Sequence, residues 1–493
     1  MPAERPNVLV IMTDQHNPSF MGCAGHPVAR TPNLDRLAAE GTRFTGCYCA
    51  SPWCVPSRMS FMTGRRPTNN HVWTNSHILS SGIPTWAHAL GAAGYETALI
   101  GRMHFVGSDQ RHGFELRPVG EFHARHPGEP ERGGPRFAHY SGESQGQRRV
   151  AVEIAGHGHT DGQYLDEHVA EGAVAYLREK GRARGGRPFA AVASFWLPHC
   201  PFIAPKELFE AYLERVEVPR EAVDPHETQP PTIRRFREHR DILRPFSEAQ
   251  VRHARAAYHA LCEHTDRNIG RVLGALDEAG LAEDTLVVYC SDHGEMAGEH
   301  GCWWKSSYYQ NSAGVPLLAR WPGRVPAGAS SEAICNLLDL GPTFVELAGG
   351  EPLPFADGKS LAGIFQGARA ENASRETFSE LGPTWGDPPS CMIRRGRWKL
   401  WTYHDDLPPA LFDLEADPDE LNDLGSAPEH AELRADLLSR IGAVWDGART
   451  LRETEALNAE MKVISAWGRA VKPAHPDNLP APPPEYEGDV VLV

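Results

Sequence analysis

Residues 7–15 read NVLVIMTDQ, an almost unbroken apolar run that ends in an acid and an amide. A strand with one wet face alternates apolar and polar side chains. A run without alternation fits a strand covered on both faces, as in a parallel sheet. Three more stretches have this form: ETALI at 96–100, FAAVASFW at 189–196 and TLVVYC at 285–290. Helical segments lie between them. TPNLDRLAAEG (31–41) offers Thr31 as an N-cap, Pro32 in the first turn and Gly41 as the stop. Residues 247–280 open on a Ser247/Gln250 capping box and close at Gly280. Strands alternating with helices predict an α/β fold.

Each of these runs ends in polar residues. The first meets Asp14 and Gln15, the second Arg102 and His104, the third His199, the fourth Ser291, Asp292 and His293. Open α/β sheets bind ligands beyond the carboxyl ends of their strands. One acid at one strand end is ordinarily a turn or cap; four polar strand ends on one sheet make a candidate crevice. Asp14, Gln15, Asp292 and His293 supply three oxygens and one imidazole. That set suits Ca²⁺, Mn²⁺ or Mg²⁺ better than structural zinc. Capping of the next turn is the other reading of Asp292 and His293.

CVPSR, residues 54–58, precedes the apolar MSFMTG. Pro56 suits the first position of a helix that Gly64 ends. Cys54 then stands at a helix N-terminus, where free N–H groups and the dipole favour an anion, with Arg58 one turn along. A cysteine before a helix is by itself more often an inert buried thiol. Lys305, in GCWWKSS, is by itself a solvated surface lysine. No P-loop, GxGxxG after a strand, HExxH or GxSxG occurs.

Composition narrows the class. The 493 residues suggest two to four domains, or one large α/β domain with additions. Hydrophobic residues at 41% and charged residues at 23% are ordinary for a globular protein. A net charge of −15 argues against a nucleic-acid or anionic-membrane surface. No apolar run reaches the ~18 residues of a membrane helix. MPAERPNVLVIMTD lacks the pattern of a signal peptide. The ten cysteines are scattered, which reads as reduced thiols in a cytoplasm.

Residues 107–162 are rich in Gly, Arg, His, Glu and Pro and read as an irregular insertion, a lid. MIRRGRWKLWTY (392–403) and ALFDL (410–414) read as strands around a turn at Gly396, followed by a helix over 428–447. The expected organisation is a catalytic domain over 1–370, a small α+β subdomain over 371–449 and an extended tail over 450–493. The tail holds one helical segment and a Pro-rich arm ending in Val490-Val-Leu-Val493, and reads as an assembly element.

Cys54-Val-Pro-Ser-Arg58 followed by MSFMTGR resembles the C-x-P-S-R signature of the type I sulfatases. The resemblance continues in order. NVLVIMTDQ is similar to that family's N-terminal metal strand and Gly101-Arg-Met-His104 to its G-K-x-H. Pro198-His199 with Pro201-Phe202 resembles its mid-chain histidine motif, and Ser291-Asp-His-Gly-Glu295 its second metal motif. Trp304-Lys305 resembles its anion-binding lysine, and IRRGRWKLWTY…LFDLEADPDE its C-terminal subdomain. The match spans most of residues 7–447. Within the family, GRMHFVGSDQRHGFE is most similar to choline-sulfatase-like members. Arg102 stands where the family usually has Lys, which keeps the charge and changes the geometry. Gln15 and His293 stand where many arylsulfatases have Asp and Asn. Residues 107–162 show no clear aromatic box for a quaternary ammonium, which argues against choline.

The resemblance implies an alkaline-phosphatase-like fold and a sulfuric ester hydrolase. It implies one divalent metal ion, foremost Ca²⁺, held by Asp14, Gln15, Asp292, His293 and position 54. It implies Cys54 oxidised to 3-oxoalanine (formylglycine) by a formylglycine-generating enzyme, its hydrate attacking sulfur. Arg58, Arg102 and Lys305 stabilise the sulfuryl oxygens. His199 serves the leaving oxygen, and His104 takes the proton when sulfate is expelled. A homo-oligomer, dimer or tetramer, is also implied. The alternative on the same scaffold is phosphonate monoester or phosphodiester hydrolysis, and a rival of another class is an inactive metal-bearing binding protein.

Overall fold

The computed structural model describes residues 5–121, 147–183, 186–223, 229–369, 374–384 and 386–473. Eight strands form the main sheet: β1 Asn7–Asp14, β2 Thr42–Tyr48, β3 Glu96–Gly101, β4 Leu116–Val119, β5 Phe189–Pro198, β6 Thr285–Ser291, β7 Leu317–Arg320 and β8 Ala329–Asn336. Their order across the sheet is β8-β2-β7-β6-β1-β5-β3-β4. The four apolar runs of the sequence are the contiguous central strands β6-β1-β5-β3, all parallel. Apart from the partly exposed first residues of β1 and β3, every residue of these four strands is buried. β7 is antiparallel to both of its neighbours, so the sheet is mixed.

Two apolar layers cover the sheet. Leu9 and Ile11 face one, which contains the long helices Asp161–Arg182 and Glu248–Glu278; Val8, Val10 and Met12 face the other, with the helix Cys54–Thr63. Strict alternation along β1 thus feeds both cores. The Ser247/Gln250 capping box forms as predicted, and Gly280 follows that helix with φ 68°. Thr31 instead turns its hydroxyl to Asp35 and Gly22, leaving the helix Pro32–Ala39 without a side-chain cap from that residue.

The C-terminal sheet is antiparallel: β9 Glu376–Leu381, β10 Ser390–Arg395, β11 Trp398–Tyr403 and β12 Ala410–Asp413, with Gly396 at φ 58° in the predicted turn. The single helix expected over 428–447 is divided. A 3-10 turn at Pro428–His430 leads into the helix Ala431–Gly442, and a separate 25-residue helix runs over Gly447–Val471. The break has a packing cause. Trp445 fills the subdomain core, and the carbonyl of Val444 accepts from Arg66 Nη1 at 2.7 Å.

The stretch 107–162, read as irregular, contains β4, a helix Arg149–Glu153, and a two-residue strand Gly156–His157 paired with Ile203–Ala204. The remainder of the expected lid, 122–146, and the Pro-rich arm within 474–493 lie outside the described residues. No helix among the described residues is long and apolar enough to cross a membrane.

Candidate active site

The carboxyl ends of the four central strands meet. β1 ends at Asp14, and Gln15 follows with φ 72°. The backbone N–H of Gln15 donates to Asp292 Oδ1 at 3.1 Å, and that of Asp292 to the carbonyl of Thr13 at 3.2 Å, so the ends of β1 and β6 are tied together. β3 ends at Gly101, whose φ is 96°; a Cβ there would lie 2.3 Å from the Ser194 carbonyl oxygen. Glycine is required for this close turn, which sends Arg102 and His104 over the sheet end.

Cys54 opens the helix Cys54–Thr63, so Pro56 is the third helical residue and not the first; Gly64 closes it in the left-handed region. Cys54 Sγ lies 3.1 Å from Lys305 Nζ, 3.2 Å from His293 Nε2 and 3.8 Å from Asp14 Oδ1. Arg58, one turn further, is fully buried: Nε donates to Asp292 Oδ2 (2.8 Å), Nη2 to Asp14 Oδ2 (3.1 Å), and Nη1 to Ser194 Oγ (3.0 Å) and the Arg102 carbonyl (2.8 Å). Arg102 Nε donates to Asp14 Oδ2 at 2.7 Å, and its guanidinium lies 4.7 Å from the centre of the Trp196 ring. Burial pushes the Asp14 carboxyl up, but Arg102, His199, Arg58 and Lys305 together hold it well below the usual carboxylate range.

The residues fit a divalent cation. One donor atom each from Asp14, Cys54, Asp292 and His293 lies within 4.8 Å of all the others, and all four side chains are buried. Oxygen ligands about 2.3–2.6 Å from Ca²⁺ are at most ~5.2 Å apart, so one ion spans the cluster. His293 Nδ1 donates to the Gly294 carbonyl at 3.0 Å, which leaves the Nε2 lone pair facing Asp14 Oδ1 (3.6 Å) and Asp292 Oδ1 (3.5 Å). Three buried electron-rich atoms converging in this way call for a cation. The Gln15 side chain stands beside them, bonded to Lys305 and Glu295.

The two histidines are placed differently. His199 Nδ1 donates to the Cys200 carbonyl at 2.5 Å, which leaves the lone pair of the neutral ring on Nε2. Burial and then the Lys305 charge push the His199 imidazolium down to about 4, so the ring is neutral at pH 7 with its acceptor on Nε2. His104 Nδ1 accepts from Arg102 Nη2 at 2.9 Å, which puts the proton of the neutral ring on Nε2. His199 thus stands with Nδ1 on a backbone carbonyl and His104 with Nδ1 on a guanidinium.

Some supporting residues have no motif to announce them. Glu121 accepts from the backbone N–H groups of His104 (2.8 Å) and Met103 (3.3 Å), holding His104 at φ 58°. Asp166 accepts from the N–H groups of Trp196 (2.6 Å) and Leu197 (3.0 Å) just before His199. Asp166 lies among Leu165, Val169 and Ala170 on the buried stripe of its helix, and an acid on an apolar stripe is the one signal the sequence offered. From the C-terminal sheet, Lys399, ion-paired with Glu420, donates to the carbonyl of Tyr308 at 2.7 Å and so anchors the segment that follows Lys305.

Fold and site define an alkaline-phosphatase-like α/β hydrolase with a buried cluster of metal-binding type at the carboxyl end of its sheet. Within that class the chain belongs to the sulfatase family, whose profile, described as Sulfatase, matches residues 6–350. Residues 298–446 match the profile described as N-sulphoglucosamine sulphohydrolase, C-terminal. The choline-sulfatase of Rhizobium meliloti is 35% identical over 446 residues, 87% of this chain and 84% of the relative. A putative sulfatase structure from Bacteroides thetaiotaomicron superposes with a TM-score of 0.73 at 24% identity, covering 91% of this chain and 94% of that one. The phosphonate monoester hydrolase of Agrobacterium radiobacter superposes with a TM-score of 0.71 at 22% identity, covering 93% and 96%. The chain is a sulfuric ester hydrolase.

Proposed function

We propose that the chain hydrolyses a small-molecule sulfate monoester at position 54, after Cys54 has been converted to 3-oxoalanine by a formylglycine-generating enzyme, with Ca²⁺ as the resident ion. The observation that carries this reading is the position of Cys54 Sγ at a helix N-terminus, within 3.1–3.8 Å of Lys305, His293 and Asp14. The aldehyde hydrate supplies the oxygen nucleophile, and the ion supplies Lewis-acid neutralisation of the anionic ester.

The chain's own residues do the rest. Lys305 Nζ and the helix N-terminus draw the sulfuryl group to position 54. Arg58 and Arg102 keep Asp14 ionised and hold it rigidly, so the anionic ligand set is ready before substrate arrives. In this reading the Nε2 lone pair of His199 takes a proton from a hydroxyl at position 54 and returns it to the leaving oxygen. Arg102 engages His104 and fixes its ring.

The proposal includes a cytoplasmic setting and a homo-oligomer, dimer or tetramer. Assembly is supported by Val463, Trp467 and Val471, exposed on successive turns of the helix Gly447–Val471. The catalytic reading is tested with a panel of aryl sulfate, choline sulfate, sugar sulfates, a phosphonate monoester and a phosphodiester. A kcat/KM highest on a sulfate monoester is the expected result; a phosphonate or phosphodiester preferred over every sulfate contradicts it.

A further inference from the structure

Gln15 and Glu295 are both buried without measurable exposure. The Gln15 amide touches a charged group at each end. Its Nε2 donates to Glu295 Oε2, and its Oε1 accepts from Lys305 Nζ at 2.7 Å. That same Nζ lies 3.1 Å from Cys54 Sγ. A carboxylate only accepts and an ammonium only donates, so one of the two orientations of the amide satisfies both partners and the other satisfies neither. Glu295 is itself fixed. Its Oε1 accepts from the backbone N–H groups of Ala297 (2.9 Å) and Trp304 (2.6 Å), and Trp304 immediately precedes Lys305 with φ 68°.

We propose that Glu295 is a positioning residue that sets which end of the Gln15 amide faces position 54 and the bound cation, presenting Oε1 as the ligand atom. This rests on the reading that Asp14, Gln15, Asp292 and His293 hold a divalent ion. A turned amide aims N–H groups at the Lys305 ammonium and at the cation, so a ligand is lost and a repulsion gained. A carboxylate at position 15 would have two equivalent oxygens and need no such partner; an amide needs one. Glu295 also ties the Gln15 side chain to the Lys305 loop, so ligand and anion-binding cation are placed together.

The test is a double-mutant cycle read as Ca²⁺ affinity, by titration calorimetry on the metal-stripped full chain, with melting temperatures to verify folding. Glu295→Gln has the same shape, but one amide cannot accept from the Ala297, Trp304 and Gln15 N–H groups together. Its Ca²⁺ affinity is expected to fall about 10–100-fold, the usual effect of losing a partner that orients a ligand. In that background Gln15→Glu restores the match with roles exchanged, the new amide donating and the new carboxylate accepting. The affinity gain from Gln15→Glu is therefore expected to be at least about ten-fold larger there than in the wild type. Equal gains in the two backgrounds, or unchanged affinity in Glu295→Gln, overturn the assignment. Should Glu295→Gln not fold, the size-matched pair Glu295→Asp and Glu295→Asn repeats the contrast. The carboxylate is expected to bind at least about ten-fold more tightly than the amide, and parity refutes the role. A wild-type protein that binds no divalent ion and hydrolyses no sulfate ester instead brings down the underlying functional reading.

Discussion

Replacing Arg58 by methionine removes the charge that lies between the two metal-type carboxylates. Asp292 Oδ2 loses its 2.8 Å partner, while Asp14 keeps only Arg102 on the same oxygen. All these groups are buried, so water does not replace the guanidinium. Removing one partner of a buried ion pair costs about 3–5 kcal/mol, mostly from the charge left behind. An unfolding entropy of about 2.1 cal/mol/K per residue over 493 residues is roughly 1 kcal/mol/K. Arg58→Met is thus expected to lower the melting temperature by about 3–5 °C in chelator. Excess Ca²⁺ should shrink that deficit, because a cation between the carboxylates takes over part of the lost charge. Turnover should fall about 10–100-fold, the usual cost of losing a partner that orients a metal ligand. The assay is differential scanning fluorimetry with and without Ca²⁺, paired with initial rates. A melting temperature equal to the wild type's in chelator, or a deficit that does not respond to Ca²⁺, refutes the charge balance argued here.

Two further outcomes are expected. His112 is buried and its imidazolium is pushed down to about 4, by burial first, against the raising effect of Asp109; since the unfolded ring titrates near ~6.5, its contribution to stability is present above that pH and is lost as pH falls towards 4. His112→Phe should flatten the acid side of a melting-temperature profile by about one proton, and identical slopes in the two proteins would remove His112 as a cause. Truncation after Arg449 deletes a docked helix with Thr450, Thr454 and Met461 buried and Glu453 and Asn458 bonded to His71 and His77, so it should destabilise the fold; truncation after Pro473 should spare the melting temperature and shift the oligomer to smaller species, and an unchanged subunit number by light scattering would deny residues 474–493 a role in assembly.

The centre of the fold was legible because β6, β1, β5 and β3 are covered on both faces, and double burial writes itself as an unbroken apolar run. The flanking strands were not. β2 and β8 carry exposed and half-exposed residues, and β4 and β7 are four residues long, too short to show a period. The same contrast holds at the site. Strand-end residues such as Asp14 and Asp292 stand out because a polar side chain follows an apolar run. Lys305 did not stand out by itself: it follows a loop, and only folding brings its Nζ to Cys54. Glu121 and Asp166 act on backbone N–H groups far along the chain, and nothing in their local sequence encodes those partners. The antiparallel placing of β7 between β2 and β6 likewise depends on contacts distant in sequence.

The central claim is that position 54 reacts as an aldehyde hydrate and not as a thiol. It is tested most directly by mass spectrometry of the peptide spanning 52–58, taken from a preparation whose sulfatase activity has been measured, before and after treatment with an aldehyde-specific hydrazine. The account predicts that the fraction of peptide carrying 3-oxoalanine tracks specific activity across preparations, and that hydrazine labels that fraction. A fully active preparation in which every copy of the peptide retains an unmodified Cys54 thiol contradicts it.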